Sequence, residues 1–453
     1  MANTQTVQQA FHIHPLQKVL LSFLGLILTG ALLLMLPGMA IAQTSFTDAL
    51  FTATSAVCVT GLITLDTAGH FTLGGKTLIL LLIQLGGLGI MTFSLGLLSM
   101  LGKNLSLQWR FTFSDLYSGF EAVPARKIIR LILIYTLVIE GIASCILFFA
   151  FLPGRSVSAA LGHAVFHAVS AFCNAGFSTF SDSLIRFQGN PLIILTISTA
   201  VILGGLGFIV LYELVSGPRL KGRRLFSRYT THSRIILITT AILLLGGTLV
   251  FFLLEKSHAM AGLSTSDRLL ASFFHSVSCR TAGFNSINIS TLRESTLLAT
   301  MALMFIGGSP GSIAGGIKTT TIAVIFLLLR AKFRGEEDVV IWGRSIEKET
   351  IDRSMTLIIL AFLFVSLVTF IMLTIKDFDL GHSFISVIFE AVSAFGTVGL
   401  STGITGQLPI AEKYLIAAVM FIGRLGPLTL ITALTLRHKK HLIDHPEEQI
   451  MIG

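Results

Sequence analysis

Charge is what this chain of 453 residues has least of. Asp, Glu, Lys and Arg make up only 12% of it, against 53% hydrophobic residues. A soluble domain carries about 25% charge to cover its surface, so a water-soluble globular protein is excluded. With a mean hydropathy of +0.84, the chain is a polytopic membrane protein. Cysteine is scarce as well. Cys58, Cys173 and Cys279 sit beside recurring segments described below and Cys145 lies inside an apolar run. That placement excludes a disulfide framework and reads as small buried side chains. No dinucleotide fingerprint follows a strand pattern, and the polar loops are too short to hold a nucleotide domain. No nucleophile or pair of acids stands at membrane depth, which excludes an intramembrane enzyme. No cleavable signal pattern precedes the first apolar run at Val19. The net charge of +9 is distributed over alternate loops between apolar stretches, so it points to membrane topology and not to nucleic acid.

What the chain does have is glycine, in a pattern. Four short segments repeat: Cys58-Val59-Thr60-Gly61-Leu62, Cys173-Asn174-Ala175-Gly176-Phe177, Arg280-Thr281-Ala282-Gly283-Phe284 and Gly396-Thr397-Val398-Gly399-Leu400. The glycines are 115, 107 and 116 residues apart, about a quarter of the chain each time. A second motif keeps step with the first: Leu85-Gly-Gly-Leu-Gly89, Leu203-Gly-Gly-Leu-Gly207, Ile306-Gly-Gly-Ser-Pro310 and Ile422-Gly-Arg-Leu-Gly426. Two motifs in register through four units identify an internal repeat.

Apolar runs long enough to span about 30 Å of hydrocarbon fall at 19–41, 75–101, 127–153, 191–215, 235–254, 295–330, 354–375 and 411–436. Before each recurring glycine lies a shorter stretch, near 47–58, 159–173, 269–279 and 383–395, which fits a re-entrant half-helix. The expected fold is therefore all-α, with eight spans. Four helix, re-entrant pore helix, helix repeats would surround a pseudo-fourfold pore. The repeats are 19–101, 127–216, 235–330 and 354–437. They are joined by cytoplasmic loops 102–126, 217–234 and 331–353, and flanked by the 1–18 arm and the 438–453 tail. Counted with their helix-end flanks (102–130, 217–234, 330–353, and the tail from Arg437), the arm, loops and tail hold 21 Lys and Arg, against far fewer on the other side. By the positive-inside rule both termini are cytoplasmic and the glycines lie toward the outer face of the cell membrane.

Four extended glycine segments around one axis suit a ring of backbone carbonyls, which can replace the hydration shell of an alkali cation. Glycine permits the backbone angles and the close approach of four chains. The candidate ion-binding residues are Val59, Thr60, Gly61, Asn174, Ala175, Gly176, Thr281, Ala282, Gly283, Thr397, Val398 and Gly399. Half-helices aim their negative C-terminal ends at such a site. Tight helix packing through small residues is the plain alternative for one segment, and four aligned segments argue against it.

Units three and four depart from the others. Gly307, Gly308, Ser309, Pro310, Gly311, Ser312, Gly315 and Gly316 interrupt a span, where proline and glycine disfavour a continuous helix. The segment reads as a flexible loop that obstructs or opens the pore, with a static kink as the alternative. Arg424 replaces a motif glycine at mid-membrane. There it would act as an electrostatic barrier and bond the carbonyls of the 307–316 loop, or form a structural salt bridge. Lys318 either lines the inner cavity or snorkels to the cytoplasmic interface. Arg280 and Glu390 are expected to pair behind the filter wall. Glu140 is either a secondary cation site or packed on a polar partner. His167 and His275 lack further ligands at metal spacing, so zinc is not expected.

These four segments, the 307–316 break, Arg424 within Phe421-Ile-Gly-Arg-Leu-Gly-Pro427 and the opening His14-Pro15-Leu16-Gln17 resemble the Trk/Ktr/HKT superfamily of potassium transporters over about residues 14–440. Eight spans look like the Ktr-type membrane subunit (KtrB/KtrD-like). The resemblance implies K+ at the filter residues, a gate at 307–316 with Lys318 and Arg424, and no covalently bound cofactor. It also implies a homodimer in the lipid bilayer with one pore per protomer, sodium-stimulated uptake, and a cytoplasmic RCK-domain ring (KtrA/KtrC-like). Nucleotide (ATP/ADP or NAD) would then bind that partner only. Glycine in all four filters fits the potassium-selective pattern; sodium-selective relatives often carry serine in the first. The rival reading is an alternating-access secondary K+ or Na+ transporter, whose repeats come as two large halves.

Overall fold

The computed structural model describes residues 15–100, 125–216, 229–375 and 383–426. The expectations for residues 1–14 of the arm, most of the 102–126 and 217–234 loops, and everything after residue 426 lie outside the described residues.

Each glycine segment follows a short helix: α2 (Phe46–Val57), α6 (Val157–Phe172), α10 (Thr265–Ser278) and α14 (Phe384–Gly396). Earlier in the chain lie α1 (Pro15–Leu34), α3 (Thr67–His70), α4 (Leu73–Met100) and α5 (Ala125–Phe151). The other helices are α7 (Pro191–Leu206), α8 (Phe208–Ser216), α9 (Thr231–Glu255), α11 (Glu294–Phe305), α12 (Thr319–Phe333), α13 (Lys348–Thr374) and α15 (Ile410–Leu425). The four short helices begin in the same way. Ser45, Ser156, Ser264 and Ser383 are their N-caps, each accepting from the backbone N–H three residues on. Such a cap satisfies one of the free amides of the first turn and is worth about 1 kcal/mol.

Among the described residues, α1, α5, α9 and α13 carry stretches long and apolar enough to cross a bilayer. Their outward side chains are large and apolar: Leu137, Leu245 and Phe362 are 67%, 70% and 66% exposed. Apolar surface on that scale belongs against lipid. The partner helices are interrupted. The run expected to cross at 191–215 is two helices, α7 and α8, bent by 105° at Gly207, whose φ is +90°. The 295–330 run is α11 and α12 with irregular backbone between them, where the glycines and Pro310 had placed a break. The all-α expectation has one exception, a small antiparallel hairpin of β1 (Val340–Ile341) and β2 (Arg344–Ser345).

The first glycine of the second motif has a packing role. Gly86, Gly204 and Gly423 bring α4, α7 and α15 onto a carbonyl at the C-terminal end of the adjacent short helix, that of Val57, Phe172 and Phe395 respectively. A Cβ at any of them would collide with that carbonyl. In unit three the equivalent Gly307 lies in irregular backbone and meets the Gly315 carbonyl instead. The outer ends of the units are also laced together. Lys413 on α15 bonds Asp48 on α2 at 2.8 Å and Ser181 donates to Asp66 at 2.6 Å, while Leu184 N–H donates to the Asn285 carbonyl at 3.0 Å. Burial pushes the Asp48 carboxyl up, but bonds from Lys413 and Ser45 outweigh it and hold the group below the usual carboxylate range.

Gly86→Ala should destabilise the protein by about 1–3 kcal/mol, because a backbone carbonyl must give way. Gly141, with no atom within 4 Å of an added Cβ, is the control: Gly141→Ala should be neutral or stabilise by up to about 1 kcal/mol. Thermal unfolding in detergent measures both.

Candidate functional site

The four glycines close a ring. A Cβ built on Gly61 would stand 2.5 Å from the Ala175 carbonyl oxygen. One on Gly176 would stand 2.9 Å from that of Ala282, and one on Gly283 would stand 2.6 Å from that of Val398. Gly399 completes the circuit against the Thr60 carbonyl. Each glycine therefore faces the carbonyl that precedes the glycine of the next unit, in chain order, and the fourth returns to the first. All four have positive φ, from +69° to +94°. The residues two positions earlier, Val59, Asn174, Thr281 and Thr397, also have positive φ, between +50° and +64°. For β-branched Val59, Thr281 and Thr397 that conformation is costly, and such outliers gather at functional sites. Thr60, Ala175, Ala282 and Val398 between them keep negative φ.

A serine on each short helix holds its strand. Ser55 accepts from Gly61 N–H at 3.0 Å and Ser393 from Gly399 N–H at 3.1 Å. Ser170 donates to the Phe177 carbonyl at 2.8 Å, and Ser278 donates to that of Phe284. The carbonyls of the same serines accept from Thr60, Ala175, Ala282 and Val398 at 2.7–3.0 Å. The sequence analysis did not single out these serines. The signal was their fixed place in the half-helix pattern, six residues before the glycine in units one, two and four and five in the shortened third.

The 307–316 loop lies against units two and four. Ser309 N–H donates to the Gly205 carbonyl at 3.0 Å and Ile313 N–H to that of Gly204 at 3.3 Å. In return Phe208 N–H, just past the bend, donates to Gly311 at 3.1 Å. Gly207 takes the Pro310 carbonyl against its Cα, and Gly315 packs on Thr397 at the base of the fourth strand. The loop closes on itself through Gly307 N–H to Ile317 at 2.9 Å and Thr319 N–H to Gly308 at 3.0 Å. Ser312 donates to the Ser309 carbonyl at 2.6 Å. Arg424 is buried and reaches across: Nη1 donates to the Ile313 carbonyl and Nη2 to that of Gly86 at 2.9 Å. Lys318 Nζ donates to the neighbouring Ala314 carbonyl at 2.7 Å. It therefore turns back onto the loop and does not snorkel away.

The charge pair expected between Arg280 and Glu390 does not form. Both Glu390 oxygens are taken by hydroxyls, those of Ser401 and Thr405, on the segment leaving the fourth strand. Arg280 instead donates from Nη2 to the Gly307 carbonyl at 3.4 Å. Glu390 is served within its own unit, which leaves no carboxylate oxygen for Arg280. Glu140 accepts from Gln84 at 3.4 Å and lies 3.9 Å from Cys173 Sγ, so a polar partner is present. His167 Nε2 meets Ser178 and His275 Nε2 meets Thr300, each at 3.0 Å, so both imidazoles serve packing contacts.

Comparison with known proteins comes to the same place. The sequence model of the TrkH family, described as a cation transport protein, matches residues 3–443. The Ktr system potassium uptake protein B of Vibrio alginolyticus is 41% identical over 438 residues, 96% of this chain and 94% of that one. The potassium/sodium uptake protein NtpJ of Enterococcus hirae is 38% identical and covers 97% of both chains. Among solved structures, the potassium transporter TrkH from Vibrio parahaemolyticus superposes with a TM-score of 0.72 at 20% identity, covering 96% of this chain and 87% of that chain, which shows a shared fold.

Removing a clamp hydroxyl should leave a buried amide or carbonyl unpaired. Ser55→Ala, Ser170→Ala and Ser393→Ala should each cost about 1–3 kcal/mol, while Thr199→Ala on the exposed side of α7 should stay within about 0.5 kcal/mol. Thermal midpoints of the purified variants give the comparison.

Proposed function

Because this chain belongs to the TrkH family of cation transport proteins, whose members are transporters and not enzymes, we propose that it is the translocating subunit of a Ktr-type potassium uptake system. The observation that carries the reading is the closed ring of Gly61, Gly176, Gly283 and Gly399 against the carbonyls of Ala175, Ala282, Val398 and Thr60. Carbonyl oxygens brought together by four strands of alternating handedness replace the water around K+ at small cost, while the C-terminal ends of four short helices add negative potential. Thr60 and Thr397 hydroxyls, buried without a protein partner, are further oxygens at the ring. Specificity for a monovalent cation fits a site of neutral oxygens with no carboxylate among the ring residues.

In this reading the chain crosses the membrane eight times in four repeats, with both termini in the cytoplasm. The 307–316 loop is the gate. Arg424 latches it through the Ile313 carbonyl and places a positive charge in the cation path. A relative named for a Ktr system supports a homodimer working with a separate nucleotide-binding RCK ring, and a relative named for potassium and sodium uptake supports a sodium effect on transport.

Liposomes containing the purified chain should pass rubidium down its gradient. Strict stoichiometric exchange, in place of gradient-driven flux, would sink the pore reading. Gly61→Ser should lower the rubidium-to-sodium flux ratio, since a side chain at φ +94° beside the Ala175 carbonyl displaces a filter oxygen. Arg424→Ala removes a charge-assisted bond worth about 1.5–3 kcal/mol to the closed state. The basal rate should then rise about tenfold or more. An unaltered rate takes Arg424 out of the gate.

A further inference from the structure

One turn before each clamp serine, the short helix carries one more buried side chain on the same face: Thr52, His167, His275 and Glu390. In units two and four this side chain reaches the strand just beyond the ring glycine. The Ser178 hydroxyl, two residues past Gly176, meets His167 Nε2 at 3.0 Å. The Ser401 hydroxyl, two residues past Gly399, donates to Glu390, whose other oxygen accepts from Thr405 at 3.0 Å. The turns match as well. Ser178 accepts from Phe180 N–H at 3.0 Å, and Ser401 accepts from Gly403 N–H at 2.9 Å.

Both side chains are themselves held in place. His167 Nδ1 donates to the His163 carbonyl at 2.8 Å, and its ring stacks on Phe180 with centroids 5.0 Å apart. That bond leaves Nε2 of the neutral imidazole as an acceptor, so Ser178 is the donor. Around Glu390 the Ser401 and Thr405 hydroxyls also meet each other at 2.9 Å. Units one and three have no such tie. Thr52 Oγ1 is buried without a protein partner, and the residue two past Gly61 is Ile63. His275 turns instead to Thr300 on α11 at 3.0 Å. Since the units follow one another round the ring, two and four stand opposite each other. The ring has four members, but the strands leaving it are tied from behind on one diagonal only.

We propose that His167 and Glu390 are positioning residues for ion selection: through Ser178 and Ser401 they hold two opposite filter strands at the spacing that suits K+ and not Na+. Na+ is the smaller ion, and a ring of carbonyls disfavours it when the oxygens cannot close inward. Side chains bonded behind a site keep its atoms to the tolerance that such a choice needs. Neither residue touches the ion. This inference rests on the pore reading and adds which side chains give that pore its preference.

Rubidium-to-sodium flux ratios in liposomes holding the purified full chain give the test. Glu390→Ala and His167→Ala should each lower the ratio about three- to tenfold, the effect of one hydrogen bond. Ser401→Ala and Ser178→Ala cut the same bonds from the strand side and should do likewise. They carry the test if a helix variant fails to fold. When Glu390→Ala and Ser401→Ala are combined, the two losses should not multiply. Glu390→Gln still offers Ser401 an acceptor and should regain most of the ratio. Thr52→Val and His275→Gln, at the same helix position in units one and three, should leave it unchanged. A ratio unmoved by the four alanine variants overturns the proposal, as does an equal fall in Thr52→Val. A Glu390→Gln ratio as low as that of Glu390→Ala overturns it too. Strict stoichiometric exchange by the unaltered chain overturns the pore reading and this inference with it, whereas selective flux that no variant alters overturns this inference alone.

Discussion

Everything in this fold answers to one steric condition: four glycine Cα atoms must lie against four carbonyl oxygens in a closed circuit. No side chain can enter that circuit, and each contact is shared by two units, so no unit can settle its strand alone. The serine N-caps start the four short helices in the same way, and the Ser55, Ser170, Ser278 and Ser393 hydroxyls fix where the strands leave them. Gly86, Gly204 and Gly423 then seat the following helices on the ends of the short ones. Contacts between distant parts of the chain, such as Lys413 with Asp48, complete the circle from outside.

Symmetry ends just below that level. The glycine that docks α4, α7 and α15 has its equivalent in unit three at Gly307, yet there it stabilises a turn of the loop. The place vacated by a regular helix is filled by carbonyls pointing inward, and these recruit the cations. Arg424 and Lys318 hold adjacent carbonyls, Ile313 and Ala314, well inside the loop, while Arg280 reaches the Gly307 carbonyl at its start. One unit supplies the loop, and its neighbours supply the holds.

Much of this was legible in the sequence because repetition multiplies weak signals. One such glycine segment means little, but four in step with the second motif, Gly-Gly in three units and Gly423-Arg424 in the fourth, place the ring, and a proline among five glycines places the break. Spans that are interrupted were less legible. The hydropathy of 191–215 is continuous across Gly207, and only the need to accommodate Pro310 from another unit makes that glycine a 105° corner. The Arg280 and Glu390 pairing failed for a related reason. Opposite charges near the same repeated position suggest attraction, whereas local hydroxyls at Ser401 and Thr405 cost less chain entropy to reach. The serine clamps were on view in every half-helix, but a serine among alanines also reads as mere smallness.

The way the loop is fastened bears on what any open state must contain. Ser309, Ile313 and Phe208 give their N–H groups to carbonyls across the seam between the loop and the α7–α8 corner. Parting that seam strips partners from amides and carbonyls on both sides at once. Water has to arrive as the loop leaves. If the loop is the gate proposed above, its release is a wetting transition, whose free energy includes the chemical potential of water. Inert osmolytes too large to enter the passage should then bias the equilibrium toward the fastened form, independently of any ion or regulator.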